Sequence, residues 1–240
     1  MLLQIFIFSL GYKKGDKNNI DEVIKYIINR FYYNGIDPAE LFFFGLKFDE
    51  NNKVNVGNGT DESHFNICFS TLKLLKRLEN IGMFHVDCTY KIIKYFYPLL
   101  VFGITDYDRH FHPIAFMVTS HETEEDFKYF FVSLNTIAND LKITFQLKSI
   151  VSYACHAMYN ALNEVYLNII IVMCWFHVKL NVRKHKKLIP VNMYSKVMRV
   201  LDSMHNCKSM EQLNILIELN VNKWITMKTM RKFGKYFQSQ

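Results

Sequence analysis

The stretch FHVDCTYK, residues 84–91, carries one carboxylate, Asp87, inside a run of apolar and aromatic residues that is typical of a buried strand. An ionised carboxylate is costly to bury unless it has a hydrogen-bonding partner or a cation beside it. The residues alone leave two interpretations open. Asp87 is either a structural carboxylate, bonded to neighbouring backbone or to Thr89 and Tyr90, or a group that does chemistry.

A second candidate for chemistry is CWFHV, in which Cys174 and His177 stand at C-x2-H spacing after an apolar run. Tetrahedral zinc needs four ligands, so this pair supplies half of a site. Candidates for the remainder are Cys155, His156 and His185. In the alternative interpretation, Cys174 ends a buried strand and His177 lies on the helix that follows.

Positive charge is concentrated near the C-terminus. Residues 175–240 hold 13 Lys and Arg against 3 Asp and Glu, whereas residues 1–174 hold 16 against 19. A concentrated basic face favours contacts with phosphates, because each neutralised phosphate releases counterions. The predicted DNA-binding residues are Lys179, Arg183, Lys184, Lys186 and Lys187. In the alternative interpretation, these residues form a solvated helical surface that binds no DNA.

The composition is that of a soluble globular protein, with 240 residues of which 50% are hydrophobic and 21% are charged. The five cysteines are odd in number and include no C-x2-C pair, which argues against a disulfide framework and fits a reducing compartment. The opening MLLQIFIFSL is a poor signal peptide and is too short to span a bilayer. We therefore expect no membrane partner.

Periodicity predicts the elements that must position these residues. Helical spacing covers residues 19–34, and the polar stretch 49–63 predicts a loop or hairpin and a domain boundary. From residue 84 onward, FHVDCTY, PLLVFGITD and HPIAFMVTS predict an antiparallel three-stranded meander. A helix, the strand LKSIVS, a second helix and the strand NIIIVMC follow, which gives the order β-β-β-α-β-α-β. Beyond Cys174 the pattern is wholly helical.

This order, with an acid on the first strand, is the order of the ribonuclease-H-like fold. The segments HVDCTYK, YPLLVFGITD, SHETEEDFKYFF, NAL and CWFHVKLNV also resemble, in sequence and spacing, the transposase domain of Mutator-like elements, the MULE family. The resemblance covers about residues 80–185. It implies an α/β fold with a ribonuclease-H-like mixed sheet, flanking helices and a truncated helical insertion. The predicted domains are a mostly helical segment at 1–78, the transposase domain at 79–175 and the basic insertion at 176–240.

The resemblance also implies a chemistry. Transposases of this kind are similar to other DDE enzymes, in which two aspartates and a glutamate hold two Mg²⁺ or Mn²⁺ ions for the cleavage and strand transfer of DNA. By that match, Asp87 is the first catalytic, metal-binding aspartate.

Two departures from the family pattern predict impaired catalysis. The second aspartate is expected at the end of the fourth strand, where this chain has Tyr153. A phenol with an ordinary pKa of about 10 cannot replace a carboxylate as a Mg²⁺ ligand at neutral pH. The implied glutamate is missing as well, because Glu211 and Glu218 read as exposed charges of an amphipathic helix. The acids of SHETEED, residues 120–126, read as the start of a helix and not as metal ligands.

The sequence therefore leaves it open whether the chain is an enzyme. The first hypothesis is a Mutator-like transposase domain with an incomplete catalytic triad. The alternative is a non-catalytic protein derived from a transposon, which binds DNA or pairs with intact transposase. Double-stranded DNA is the expected partner in both cases, with other transposase copies as a further one. The DNA substrate and the basic VRKHKKL predict residence in the nucleus.

Overall fold

The computed structural model describes residues 24–90 and 97–239. Its centre is a seven-stranded sheet with the strand order β1-β4-β7-β6-β5-β8-β9, and β2 and β3 form a separate hairpin. The strands are β1 (Phe42–Phe44), β2 (Lys47–Phe48), β3 (Val54–Asn55), β4 (Asn66–Ser70), β5 (Met83–Thr89), β6 (Leu99–Thr105), β7 (Phe111–Thr119), β8 (Ser149–Ser152) and β9 (Ile170–Met173).

Helices follow the sheet strands and then make up the C-terminal part of the described chain. They are α1 (Leu72–Leu75), α2 (Glu124–Asp140), α3 (His156–Val165), α4 (Trp175–Lys184), α5 (Val191–His205), α6 (Met210–Thr226) and α7 (Arg231–Gln238). A helical stretch also occupies residues 24–28, and short 3-10 helices occupy Lys76–Glu79 and Lys186–Leu188. None of the described helices is both long enough and apolar enough to cross a membrane.

The sheet is mixed. Strands β5, β6 and β7 form an antiparallel meander, whereas β8 pairs with β5 in parallel. The predicted order β-β-β-α-β-α-β is confirmed by β5, β6, β7, α2, β8, α3 and β9. The register shifts between Phe102 and Gly103, where a Cβ on Gly103 would lie 2.5 Å from the carbonyl oxygen of His112. Glycine therefore permits the close approach of β6 and β7 at this point.

Each face of the sheet carries its own core, because successive side chains along a strand point to opposite faces. The helix-side core packs Phe84, Phe102 and Ile150 of the sheet against Phe130 of α2 and Leu162 of α3. The outer core on the other face is also apolar. It contains Ile27, Leu41, Phe43, Val56, Phe65, Ile67, Phe69, Leu99 and Val118.

Helix α2 begins with a capping box. The Thr123 hydroxyl accepts a hydrogen bond from the Asp126 backbone N–H, and the Asp126 carboxylate accepts one from the Thr123 backbone N–H. Asp126 is 1% exposed and also accepts from His64 Nδ1 at 3.0 Å and from Asn66 Nδ2 at 2.9 Å. The carboxylate therefore joins β4 and the loop before it to the start of α2.

The predicted mostly helical segment at residues 1–78 differs from the structure. Its described part contains four strands, and β1 and β4 are hydrogen-bonded into the same sheet as β5–β9. The stretch FFF, residues 42–44, explains why a strand was missed here. Phe42 and Phe44 enter the helix-side core, whereas Phe43 enters the outer core. A strand buried on both faces shows no alternation of apolar and polar residues. Residues 1–23, which include the start of the predicted helix at 19–34, lie outside the described residues.

The chain divides into two compact units between Val172 and Met173. The second unit contains α4–α7 and has a core of its own, in which Trp224 and Phe233 are almost completely buried. Its described helices agree with the wholly helical pattern predicted beyond Cys174.

Candidate functional site

Asp87 lies near the C-terminal end of β5, which pairs with β6 on one side and with β8 on the other. Its neighbours Val86 and Cys88 enter the helix-side core, so the alternation along the strand directs Asp87 to the opposite face. There it is half-buried and stands across from Val101 of β6. The structure therefore places the first predicted acid on a rigid strand, on the face away from α2 and α3.

Tyr153 follows β8 directly. In the parallel pairing of β5 and β8, Val86 stands beside Ser152, and one further residue of the same register would place position 153 beside Asp87. The strand ends at Ser152, however, and the Tyr153 ring packs against the helix-side core. The side chains of Asp87 and Tyr153 thus belong to opposite faces of the sheet and do not form one site.

Tyr153 instead takes part in what we call the Glu122 cluster, which consists of Cys88, Tyr90, Glu122 and Tyr153. The Tyr153 hydroxyl donates to Glu122 Oε1 at 3.1 Å, and the Tyr90 hydroxyl donates to Glu122 Oε2. Cys88 belongs to the same cluster, where burial and then the charge of Glu122 raise the pKa of its thiol. Both oxygens of one carboxylate are therefore held by neutral donors.

Burial fixes the protonation of these donors. Desolvation is the main cause that raises the pKa of Tyr153, of Tyr90 and of the Cys88 thiol above their ordinary values, and the negative charge of Glu122 acts in the same direction. The two phenols and the thiol consequently keep their protons at neutral pH. They act as hydrogen-bond donors and not as anionic ligands.

This donor set does not fit a divalent cation. Mg²⁺ and Mn²⁺ require oxygen ligands, chiefly carboxylates. Within residues 24–90 and 97–239, no three His, Cys, Asp or Glu side chains come together in a way that could hold a metal ion. The arrangement supports hydrogen bonding at Glu122 and supplies no step of metal-assisted phosphoryl transfer.

Sequence reasoning missed Glu122, since the acids of residues 120–126 were assigned together to the start of a helix. One feature of the sequence could have distinguished Glu122 from the acids of the helix. Glu122 precedes the cap residue Thr123 and therefore stands outside α2, while Glu124, Glu125 and Asp126 form the first turn.

Comparison with known protein families adds a finding for the part of the chain that contains Asp87, Glu122 and Tyr153. The model of the MULE transposase domain matches residues 83–181. Residues 83–181 are a MULE transposase domain. The match begins with β5 and ends within α4. No curated protein matches the chain.

Within the MULE transposase domain, Cys174 and His177 lie at the start of α4. Cys174 is the N-cap residue, and His177 lies in the first turn with its ring 5.4 Å from that of Phe176, edge to face. His185 stacks on Tyr236 at 3.8 Å. The described residues bring no third ligand to this pair, so zinc binding by Cys174 and His177 stays a prediction.

The predicted DNA-binding residues of the MULE transposase domain and its C-terminal flank differ in their surroundings. Lys179 Nζ lies 2.7 Å from Asp202 Oδ1 of α5 and 5.3 Å from the centre of the Trp175 ring. Lys186 Nζ lies 4.8 Å from the centre of the Tyr194 ring. Arg183, Lys184, Lys186 and Lys187 are exposed. Lys179 therefore has a packing role and Lys186 lies over a ring, while Arg183, Lys184 and Lys187 are the residues best placed for phosphates.

Proposed function

We propose that this chain is a ribonuclease-H-like MULE transposase domain in which strand cleavage is impaired and DNA binding is retained. The mixed sheet, with β5 between β6 and β8 and helices α2 and α3 on one face, is compatible with that fold. The family match supports a transposase-related function.

The observation that carries the impairment is the hydrogen bond from Tyr153 to Glu122. The family resemblance implies a metal-binding aspartate at position 153, next to β5. This chain has a protonated phenol there, turned toward α2 and bonded to a carboxylate. An enzyme that cleaves DNA with two metal ions depends on closely spaced carboxylates. The described residues provide Asp87 on one face of the sheet and Glu122 on the other.

DNA is the partner that the charge of the second unit supports. Phosphate contacts position a duplex without reading its sequence. Arg183, Lys184 and Lys187 lie within five positions and are exposed, so they would act together on one stretch of backbone. This binding requires no metal, which separates it from the catalytic function.

The first test is nicking of supercoiled DNA in Mg²⁺ or Mn²⁺. We expect no cleavage by the native chain. Cleavage by the native chain that disappears in Asp87→Asn would refute the proposed impairment. Tyr153→Asp is the companion variant: a gain of cleavage would identify Tyr153 as the block, whereas no gain would place the block elsewhere as well, such as at the glutamate that the resemblance implies.

The second test is the salt dependence of duplex binding. A variant with Arg183→Gln, Lys184→Gln and Lys187→Gln should bind weakly, and the slope of log affinity against log salt should fall by about 3, since each lost phosphate contact removes about 0.9. The matched control carries Lys223→Gln and Lys228→Gln, two exposed lysines of the same unit. An equal loss in the control would show that net charge, not this surface, governs binding.

The remaining proposals follow from the DNA partner. We propose nuclear residence, tested by imaging a fluorescent fusion with and without the Lys184, Lys186 and Lys187 charges. Pairing with other transposase copies is tested by co-purification of two differently tagged chains.

A further inference from the structure

We propose that the two phenols of the Glu122 cluster take the place of a divalent cation: they hold the Glu122 carboxylate by hydrogen bonds, and the native chain binds no Mg²⁺ or Mn²⁺ there. The inference deepens the proposed function and rests on it in one respect, the identification of position 153 with the implied second acid. It turns Tyr153 from a lost ligand into a residue with a defined structural role.

The first argument is the use of both carboxylate oxygens. Oε1 accepts from Tyr153 and Oε2 accepts from Tyr90. A partly buried carboxylate needs hydrogen-bond donors or a positive charge to remain ionised. Two phenols supply the donors, one for each carboxylate oxygen, so both oxygens are satisfied without a cation.

The second argument is space. Mg²⁺ binds oxygens at about 2.0–2.1 Å and usually keeps several waters, so it needs an open volume beside its carboxylates. The side chain of an aspartate at position 153 is shorter than that of tyrosine by about the length of the ring. It would not reach Glu122 and would leave open space between the two carboxylates. The Tyr153 ring crosses that distance and packs against the helix-side core. The Tyr153 side chain therefore lies next to Glu122, where an ion and its waters would have to bind.

The third argument is what the cluster connects. Tyr90 follows β5, Tyr153 follows β8, and Glu122 precedes α2. Strands β5 and β8 are parallel, so their C-terminal ends lie side by side. One carboxylate therefore joins the ends of two neighbouring parallel strands to the start of the longest helix on that face. The role of the cluster is to stabilise this junction.

The experiment compares thermal unfolding in EDTA, in millimolar Mg²⁺ and in millimolar Mn²⁺. We expect the native midpoint to be the same in all three. Tyr153→Phe, which removes only the hydroxyl, should lower the midpoint by roughly 2–4 °C in each buffer. The matched control is Tyr159→Phe on α3, where the tyrosine is 55% exposed, and its midpoint should stay unchanged.

A double-mutant cycle makes the test specific. In a Glu122→Gln background, Tyr153→Phe should lower the midpoint by less than in the native chain, because the charged acceptor is already gone. Equal losses in both backgrounds, or a loss no larger than that of Tyr159→Phe, would overturn the inference. If Tyr153→Phe fails to fold, Tyr90→Phe takes its place, since Tyr90 is half-exposed and donates to the other oxygen.

Metal binding is measured independently by titrating Mn²⁺ and following its free signal by electron paramagnetic resonance. We expect native chain and Glu122→Gln to bind the same amount. Binding by the native chain that is lost in Glu122→Gln, without DNA cleavage, would overturn this inference alone. Cleavage that survives Glu122→Gln but disappears in Asp87→Asn would overturn the proposed impairment alone.

Discussion

Asp126 is a single carboxylate that connects several elements of the first compact unit, which contains most of the sheet. Its two oxygens accept from His64 Nδ1, Asn66 Nδ2, the Thr123 backbone N–H and the Thr123 hydroxyl. The carboxylate is almost completely buried, and its removal would take this acceptor away from His64, Asn66 and Thr123 at once. An unsatisfied buried donor is more destabilising than a lost surface bond, and this carboxylate is therefore structural.

We predict that Asp126→Ala lowers the free energy of unfolding by roughly 3 kcal/mol, because it leaves several donors unsatisfied. Urea unfolding followed by circular dichroism measures the change. Glu125→Ala, an exposed acid in the same helical turn, should change it by less than about 0.5 kcal/mol. Similar losses in both variants would contradict the role given to the Asp126 network.

His85 makes the stability of the first compact unit depend on pH. Burial lowers its pKa from the ordinary value of 6.5, and its Nε2 lies 2.8 Å from the Thr105 hydroxyl. Below pH 6.5 the unfolded chain takes up this proton more readily than the folded chain. The contribution of His85 to stability is therefore present above pH 6.5 and falls as the pH drops toward the lowered folded-state pKa.

We predict that His85→Gln loses less stability than the native chain between pH 7.5 and pH 5.5. Urea midpoints at the two pH values give the comparison. If the loss of stability between the two pH values were the same in His85→Gln as in the native chain, groups other than His85 would account for the pH dependence.

Among the elements, α2 was the most predictable from sequence. Acids in its first turn, and Phe127, Phe130, Phe131 and Leu134 at helical spacing, predict both its start and its buried face. The strands of the meander were predictable for the same reason, since their apolar runs are bounded by turn residues. Thr123 three residues before Asp126 is the spacing of a capping box, with Asp in the place of the usual Glu or Gln.

We predict that Thr123→Ala lowers stability by about 1 kcal/mol, because it removes the side-chain acceptor at the N-terminus of α2. Thr136→Ala is the control. Thr136 lies in the same helix and is exposed, and its hydroxyl bonds to the carbonyl of its own helix, so alanine should be neutral or slightly stabilising. A loss in Thr136→Ala equal to that in Thr123→Ala would mean that capping is not the cause.

Other elements and much of the site were not predictable from local pattern. Strand β1 is buried on both faces, so FFF shows no periodicity that separates a strand from a buried helix. The orientation of Tyr153 depends on where β8 stops, because the alternation of side chains between the two faces holds only within a strand. Glu122 meets Tyr153 through tertiary structure alone, 31 residues apart in sequence.

At the scale of the whole molecule, the two units can be observed separately. The chain has two tryptophans, Trp175 and Trp224, and both lie in the second unit. Trp224 packs against Phe233 with ring centres 5.2 Å apart. Tryptophan fluorescence therefore reports on the helical unit, while the seven-stranded sheet contributes no tryptophan to the signal.

We predict that Phe233→Ala lowers the stability of the second unit by about 3–5 kcal/mol, because it opens a cavity in the only core described for α4–α7. The fluorescence transition in urea should move to a much lower concentration or disappear. Phe237→Ala, at a half-buried position of the same helix, should have a smaller effect. An unchanged fluorescence transition in Phe233→Ala would contradict the packing of α7 on α6.

The strand order has a consequence for synthesis on the ribosome. Strands β1 and β4 leave the ribosome first, yet β4 pairs with β7, which is made about 50 residues later. At roughly 5–20 residues per second, the unpaired edge of β4 waits for several seconds. During that interval Phe43 and Phe69 lack part of the outer core, so we expect the nascent chain to expose aromatic segments that chaperones can bind until the remaining strands are made.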